Sequence, residues 1–196
     1  DVYVLSDEIY KDIIYDGKHF SISSLPWMTD RTIILDGLSK SYAMTGWRLG
    51  YGIFPQDMVE SISRLAVNSV SCATALVQRA AIQALKGPQD SLKVMSEEFR
   101  KRRDAIVQGF KCIPGTNCPK PEGAFYAFPS IRGTGLSSNE FEELSLYDAG
   151  VALLSGTAFG KYGDGYIRLS YANSLENINE ALNRLETLVR KTRSAK

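Results

Sequence analysis

The sequence predicts an α/β fold, a mostly parallel sheet with helices, followed by a smaller α+β domain. Two observations carry that expectation. Early in the chain, short apolar runs at residues 2–5, 32–35 and 50–54 end on polar or glycine-rich stretches and alternate with loop or helix-patterned segments. After a long amphipathic stretch at residues 89–111, short strand-like and helix-like segments follow one another in mixed order. In open α/β sheets, ligands bind in the crevice beyond the carboxyl ends of the strands, so polar residues following the early strands are the first candidates for chemistry.

The elements follow in order. Residues 2–5 (VYVL) form a strand that needs sheet neighbours, and the chain, which begins at Asp1, is expected to be a piece of a longer protein. Ser21, Ser23, Ser24 and Pro26 mark a loop with no assigned chemistry. Thr32-Ile33-Ile34-Leu35 is short, β-branched and bounded by Asp30-Arg31 and Asp36-Gly37, as a buried strand would be. Pro55 opens a helix whose Met58, Ile62, Leu65 and Val70 read as core, and a second helix over residues 73–86 stops at Gly87-Pro88.

Leu92, Met95, Phe99, Ile106 and Phe110 define one face of the long helix over 89–111. Its basic run, residues 100–103, is flanked by Glu97, Glu98 and Asp104 and reads as a solvated face. Strands are expected over 123–129 and 151–154, with a helix over 138–149 between them. Residues 166–171 alternate, with Ile167, Leu169 and Tyr171 on one face and Arg168 on the other. Leu175, Ile178, Leu182, Leu185 and Val189 give the last helix its apolar stripe, and Asn173 with Glu176 suggests its N-terminal box.

Composition narrows the function. With 196 residues, 44% hydrophobic and 23% charged, the chain suits a globular protein of one large domain or two small ones. Its net charge of +1 gives no electrostatic reason to expect nucleic acid or an anionic membrane as partner. Apolar runs such as residues 151–154 fall far short of a membrane span, and no signal-peptide pattern is present, so a cytoplasmic location is expected. Cys72, Cys112 and Cys118 are irregularly spaced and read as reduced structural thiols. With His19 as the single histidine, no metal site or Ser/His/Asp triad is expected.

The chemistry concentrates in residues 37–50, GLSKSYAMTGWRLG. Lys40 stands in a small-residue turn just past a strand end, and Arg48, between Gly46 and Gly50, presents a planar guanidinium suited to phosphate. Gly37, Leu38, Ser39, Lys40, Arg48, Leu49 and Gly50 resemble, in order, the pyridoxal-phosphate attachment motif of the class I and II aminotransferases. Asp7 and Tyr10 resemble that family's Asp-x-x-Tyr, and residues 167–172 (IRLSYA) resemble the segment whose arginine grips the substrate carboxylate. Residues 122–126 and 156–160 resemble segments near the substrate. Ser155 stands where many members have proline, and the family's Ser-Asn-Pro-like turn is only weakly matched at Ser71.

The resemblance covers essentially the whole chain and corresponds to the second half of an enzyme of the aspartate aminotransferase fold type. It implies pyridoxal 5'-phosphate as cofactor, with Lys40 attached to it and moving the substrate proton, and Asp7 on the ring nitrogen. Tyr10 would meet the ring oxygen, Ser39 and Arg48 would bind the cofactor, and Arg168 would bind the substrate. It further implies residues 1–88 as part of the large cofactor-binding domain, 89–112 as an interdomain helix and 113–196 as the small domain. The expected activity is transamination between an amino acid, aspartate as first choice, and a 2-oxo acid, in a homodimer. The chain alone is expected to be inactive. A lyase, decarboxylase or acyltransferase using the same cofactor, or an inactive or regulatory ligand-binding domain, is the alternative.

Overall fold

The computed structural model describes residues 2–194. The chain divides into two compact units with the boundary between Ser96 and Glu97. In the first unit, β1 (Val4–Asp7), β2 (Thr32–Gly37) and β3 (Gly50–Ile53) form a three-stranded sheet in that order. β1 runs parallel to β2, with Asp7 opposite Leu35, whereas β3 is antiparallel to β2, with Gly37 opposite Gly50. The sheet among the described residues is therefore mixed, and the parallel expectation holds for the β1–β2 pair and not for β3. A parallel neighbour needs a crossover that carries the chain back along the strand, and residues 38–49 hold only the 3-10 turn Thr45–Trp47. Gly37 permits this close return, because a Cβ there would sit 3.0 Å from Gly50 Cα and from Leu49 O.

Two helices follow, α1 (Val59–Val70) and α2 (Ala75–Lys86). Ile13, Tyr15, Leu38 and Ala81 are buried in this unit. The stripe of α1 departs from expectation, since Leu65 and Val70 remain 64% and 73% exposed. Helical spacing reports that a face is apolar and says nothing about what covers it. The long helix α3 (Asp90–Cys112) is continuous across the boundary.

In the second unit β4 (Tyr126–Ala127), β5 (Leu154–Ser155) and β6 (Ile167–Ser170) form an antiparallel sheet in the order β4-β6-β5. β4 is shorter than its apolar run because Ala124 takes a left-handed φ of 57° and Pro129 has no N–H to give, although its carbonyl accepts from Ile167 N at 3.1 Å. β5 is likewise short, but Val151 and Leu153 just before it are buried.

Helix α4 (Ser138–Tyr147) opens on a capping box not anticipated from sequence, in which Ser137 Oγ accepts from Glu140 N at 3.3 Å and Glu140 accepts from Ser137 N at 2.8 Å. Helix α5 (Leu175–Ser194) buries Ile178, Leu182, Leu185, Leu188 and Val189. Its first turn is capped by Ser174, whose Oγ accepts from Asn177 N at 3.1 Å, and not by the expected Asn173 and Glu176. Gly109 of α3 lets Leu182 approach, since a Cβ there would collide with that side chain.

Two further expectations change. Arg103 leaves the solvated face, lies buried, and donates to Asp104 Oδ1 at 2.9 Å and Pro121 O at 3.3 Å. Cys118 is buried, which pushes its thiol up to about 11, but Cys72 and Cys112 are exposed and have no structural burial. Among the described residues, no helix is long and apolar enough to cross a membrane.

Candidate active site

The carboxyl ends of β1 and β2 lie side by side, so the residues that follow them share one crevice. Asp7 closes β1, and its Oδ1 accepts from Ile9 N at 3.2 Å, turning the chain toward Tyr10. The ladder continues one residue further through Glu8 N donating to Leu35 O at 2.8 Å. The Glu8 carboxylate is buried and accepts from Ser21 Oγ at 2.6 Å and Ser6 Oγ at 3.2 Å, and it meets His19 Nε2 at 2.9 Å. This ties the serine loop beneath the Asp7–Tyr10 turn.

Burial acts to raise the Glu8 carboxyl, but the hydrogen bonds from Ser21, His19 and Ser6, with the nearby His19 charge, hold it below its ordinary value of 4.5. A depressed carboxylate stabilises the fold above its unfolded value, and that contribution disappears as pH falls through the folded one. Glu8→Gln is therefore expected to cost about 1–2 kcal/mol at pH 7 and progressively less below about pH 4.5, read as urea midpoints at a series of pH values.

Residues 38–49 form a loop tightened by its own backbone. Leu38 O accepts from Tyr42 N at 3.2 Å and Met44 N at 3.3 Å, and Lys40 O accepts from Ala43 N at 3.2 Å. Buried Asp36 anchors its root. One carboxylate oxygen accepts from Gly37 N at 2.6 Å, while the other accepts from Tyr51 Oη at 2.6 Å and pairs with Lys11. Burial opposes the charge on Lys11, yet its contacts with Asp36 and Tyr51 raise it above its ordinary value. Arg48 ends the Thr45–Trp47 turn with a left-handed φ of 54° and donates to Thr45 O at 2.8 Å.

Asp7, Tyr10, Ser39, Lys40 and Arg48 all line one cavity of about 520 Å³, with Asp36 in its wall. A neighbouring cavity of about 920 Å³ shares Arg48 and is bordered by Ala43, Trp47, Cys72 and Thr74. Ala43 and Arg48 are left-handed non-glycine residues, as is Ser71 beside Cys72, and such backbone is costly enough to concentrate at functional sites. Arg168 belongs to the second unit, where it is half-buried on β6. Of the residues that sequence reasoning passed over, Asp36 had a signal in its place at the strand end before the lysine loop. Lys11 and Tyr51, which converge on it from other segments, had none.

An amine, a carboxylate, a phenol, a hydroxyl and a guanidinium around one cavity can hold an anionic, partly aromatic ligand with an electrophilic carbon. The family description "Aminotransferase class I and II" matches residues 1–185. The chain belongs to the class I and II aminotransferases.

Among its relatives, the probable N-acetyl-LL-diaminopimelate aminotransferase of Bacillus subtilis is 44% identical, over 99% of this chain and 49% of that protein. The aspartate aminotransferase of Pyrococcus abyssi is 42% identical, over 97% of this chain and 49% of that protein. The crystal structure of an aromatic aminotransferase from Pyrococcus horikoshii superposes with a TM-score of 0.94 at 41% identity, covering 97% of this chain and 52% of that one. The chain thus spans about half the length of the curated relatives it matches. Aminotransferases of this class depend on pyridoxal 5'-phosphate. The donor set around the 520 Å³ cavity fits that group, with a cation for the phosphate, an anion for a protonated ring nitrogen and an amine for the aldehyde carbon.

Proposed function

We propose that the whole protein is a pyridoxal-phosphate-dependent transaminase moving an amino group between an amino acid and a 2-oxo acid. The observation that carries this reading is the convergence of Asp7, Tyr10, Ser39, Lys40 and Arg48 on one cavity at the ends of adjacent parallel strands. The guanidinium of Arg48 would hold the phosphate, Ser39 would bind the cofactor beside Lys40, the Tyr10 hydroxyl would meet the ring oxygen, and the Asp7 carboxylate would keep the ring nitrogen protonated. When bound, the cofactor supplies an aldehyde carbon and a ring that accepts an electron pair from the substrate's Cα. Lys40 Nζ would be the group that holds the cofactor and would take and return the proton at that carbon. Arg168 holds the α-carboxylate and so fixes which bond at Cα is broken.

Arg168 favours transamination over a lyase, decarboxylase or acyltransferase. Aspartate is the first choice of donor, although the relatives' names also include a diaminopimelate derivative and aromatic amino acids. The same proposal includes a cytoplasmic homodimer. Within it, residues 1–88 serve the cofactor-binding domain, 89–112 the link and 113–196 the small domain.

The test supplies the whole protein with the cofactor, 15N-labelled aspartate and pyruvate. Transfer of 15N to alanine, with oxaloacetate formed, is the expected result. Repeating the assay across a panel of donors finds the preferred amino acid. Release of carbon dioxide or ammonia in place of transfer, for every donor, contradicts the reading.

A further inference from the structure

Arg168 lies against two aromatic rings and, among the described residues, forms no ion pair. Ile167 and Leu169 are buried on one face of β6, so Arg168 rises on the other. Its guanidinium carbon lies 4.7 Å from the centroid of the Tyr126 ring and 4.2 Å from that of Phe159. Tyr126 is its diagonal neighbour across the β4–β6 ladder, where Tyr126 stands opposite Ser170. Phe159 comes from the 3-10 turn Gly156–Phe159 that follows β5.

Both rings are themselves held. Phe125 lies 5.0 Å from Tyr126, and Phe128 packs edge-on against Phe159 at 6.0 Å while stacking on Tyr166 at 5.4 Å. The Phe159 turn is fixed at its start by Ser155, whose hydroxyl accepts from Thr157 N at 3.3 Å and donates to Asn139 Oδ1 at 2.7 Å.

Arg102 and Arg132 of the same unit also lie over rings, 5.4 Å from that of Phe99 and 5.0 Å from that of Tyr166, whereas three others are held by acids. Arg103, Arg184 and Arg190 meet Asp104, Glu180 and Glu186 at 2.8, 2.8 and 2.7 Å. An acidic partner orients a guanidinium but consumes its N–H donors and cancels its charge, which is the wrong preparation for a group that must take a carboxylate. A ring face attracts the cation through its quadrupole and uses no donor. Among the described residues no carboxylate pairs with Arg168, and Phe159 keeps 49% of its surface exposed beside it.

We propose that Tyr126 and Phe159 are positioning residues that hold the guanidinium of Arg168 by their ring faces and leave its N–H edge open for the α-carboxylate of an amino acid or 2-oxo acid. This rests on the reading of Arg168 as the carboxylate-binding group.

The test uses the whole protein loaded with cofactor and compares Phe159→Leu, Tyr126→Leu, Tyr126→Phe and Arg168→Leu. Two quantities are read: KM and kcat for pyruvate, and the equilibrium binding of propionate, an unreactive carboxylate that needs no turnover. Phe159→Leu and Tyr126→Leu are each expected to raise KM and weaken propionate binding by about fivefold, within the range of cation–π contacts, with kcat nearly unchanged. Tyr126→Phe keeps the ring and restores the wild-type KM. Arg168→Leu raises KM well beyond either leucine variant.

The proposal is overturned if Arg168→Leu raises KM but neither leucine variant does, or if those variants lower kcat alone. If Arg168→Leu leaves both KM and propionate binding unchanged, the carboxylate reading fails and this inference fails with it. Phe159 is half-exposed, so its variant remains informative even where Tyr126→Leu disturbs folding.

Discussion

If the proposed roles hold, Lys40→Ala lowers amino-group transfer by the whole protein by about a thousandfold or more, because one amine would be lost from both attachment and proton transfer. Lys40→Arg is expected to fail almost as completely. It restores a cation to the cavity but offers no amine that can attach or give up a proton, so it separates covalent chemistry from electrostatics. Stability changes little in either variant, since Lys40 is only half-buried and its loop is held by the Leu38 and Asp36 contacts. Initial rates and thermal midpoints measured together distinguish a lost reaction from a lost fold. Unchanged turnover in Lys40→Ala would contradict the assignment.

Asp36→Ala is expected to have the largest effect on stability, about 2–4 kcal/mol by urea unfolding. Its carboxylate ties Gly37 N, Tyr51 of β3 and Lys11 of the turn after β1. Deleting it leaves a half-buried ammonium and a buried backbone N–H without that acceptor. Tyr51→Phe removes a single hydrogen bond and is expected to cost about 1 kcal/mol. A lysine raised above its ordinary value of 10.5 stabilises the fold fully below that pH and loses its contribution as pH rises through the folded value. The Lys11 contribution is therefore constant through neutral pH and fades only in strong alkali. Because Asp36 anchors the loop that carries Lys40, loss of cofactor affinity is expected alongside the loss of stability.

The candidate site was legible in the sequence where its residues are contiguous. Lys40 and Arg48 share one loop, and Asp7 with Tyr10 share one turn, so the resemblance could single out, before any folding is known, four residues that line one cavity. The apolar stripe of α5 was equally local. What sequence reasoning missed depends on partners distant along the chain. The direction of β3, the exposed stripe of α1 and the burial of Arg103 are decided by what packs against each segment, which periodicity does not encode. The Asp36 cluster joins residues 11, 36 and 51, and the aromatic contacts of Arg168 join residues 126, 159 and 168. None of those spacings is a pattern.

The central claim is that Lys40 is the cofactor's attachment point. The direct measurement mixes the whole protein with pyridoxal 5'-phosphate, reduces the mixture with borohydride and maps the modified lysine by mass spectrometry. The account predicts a single dominant modification on Lys40, abolished in Lys40→Ala. Modification spread over exposed lysines with none favoured, or a dominant label elsewhere, would contradict it.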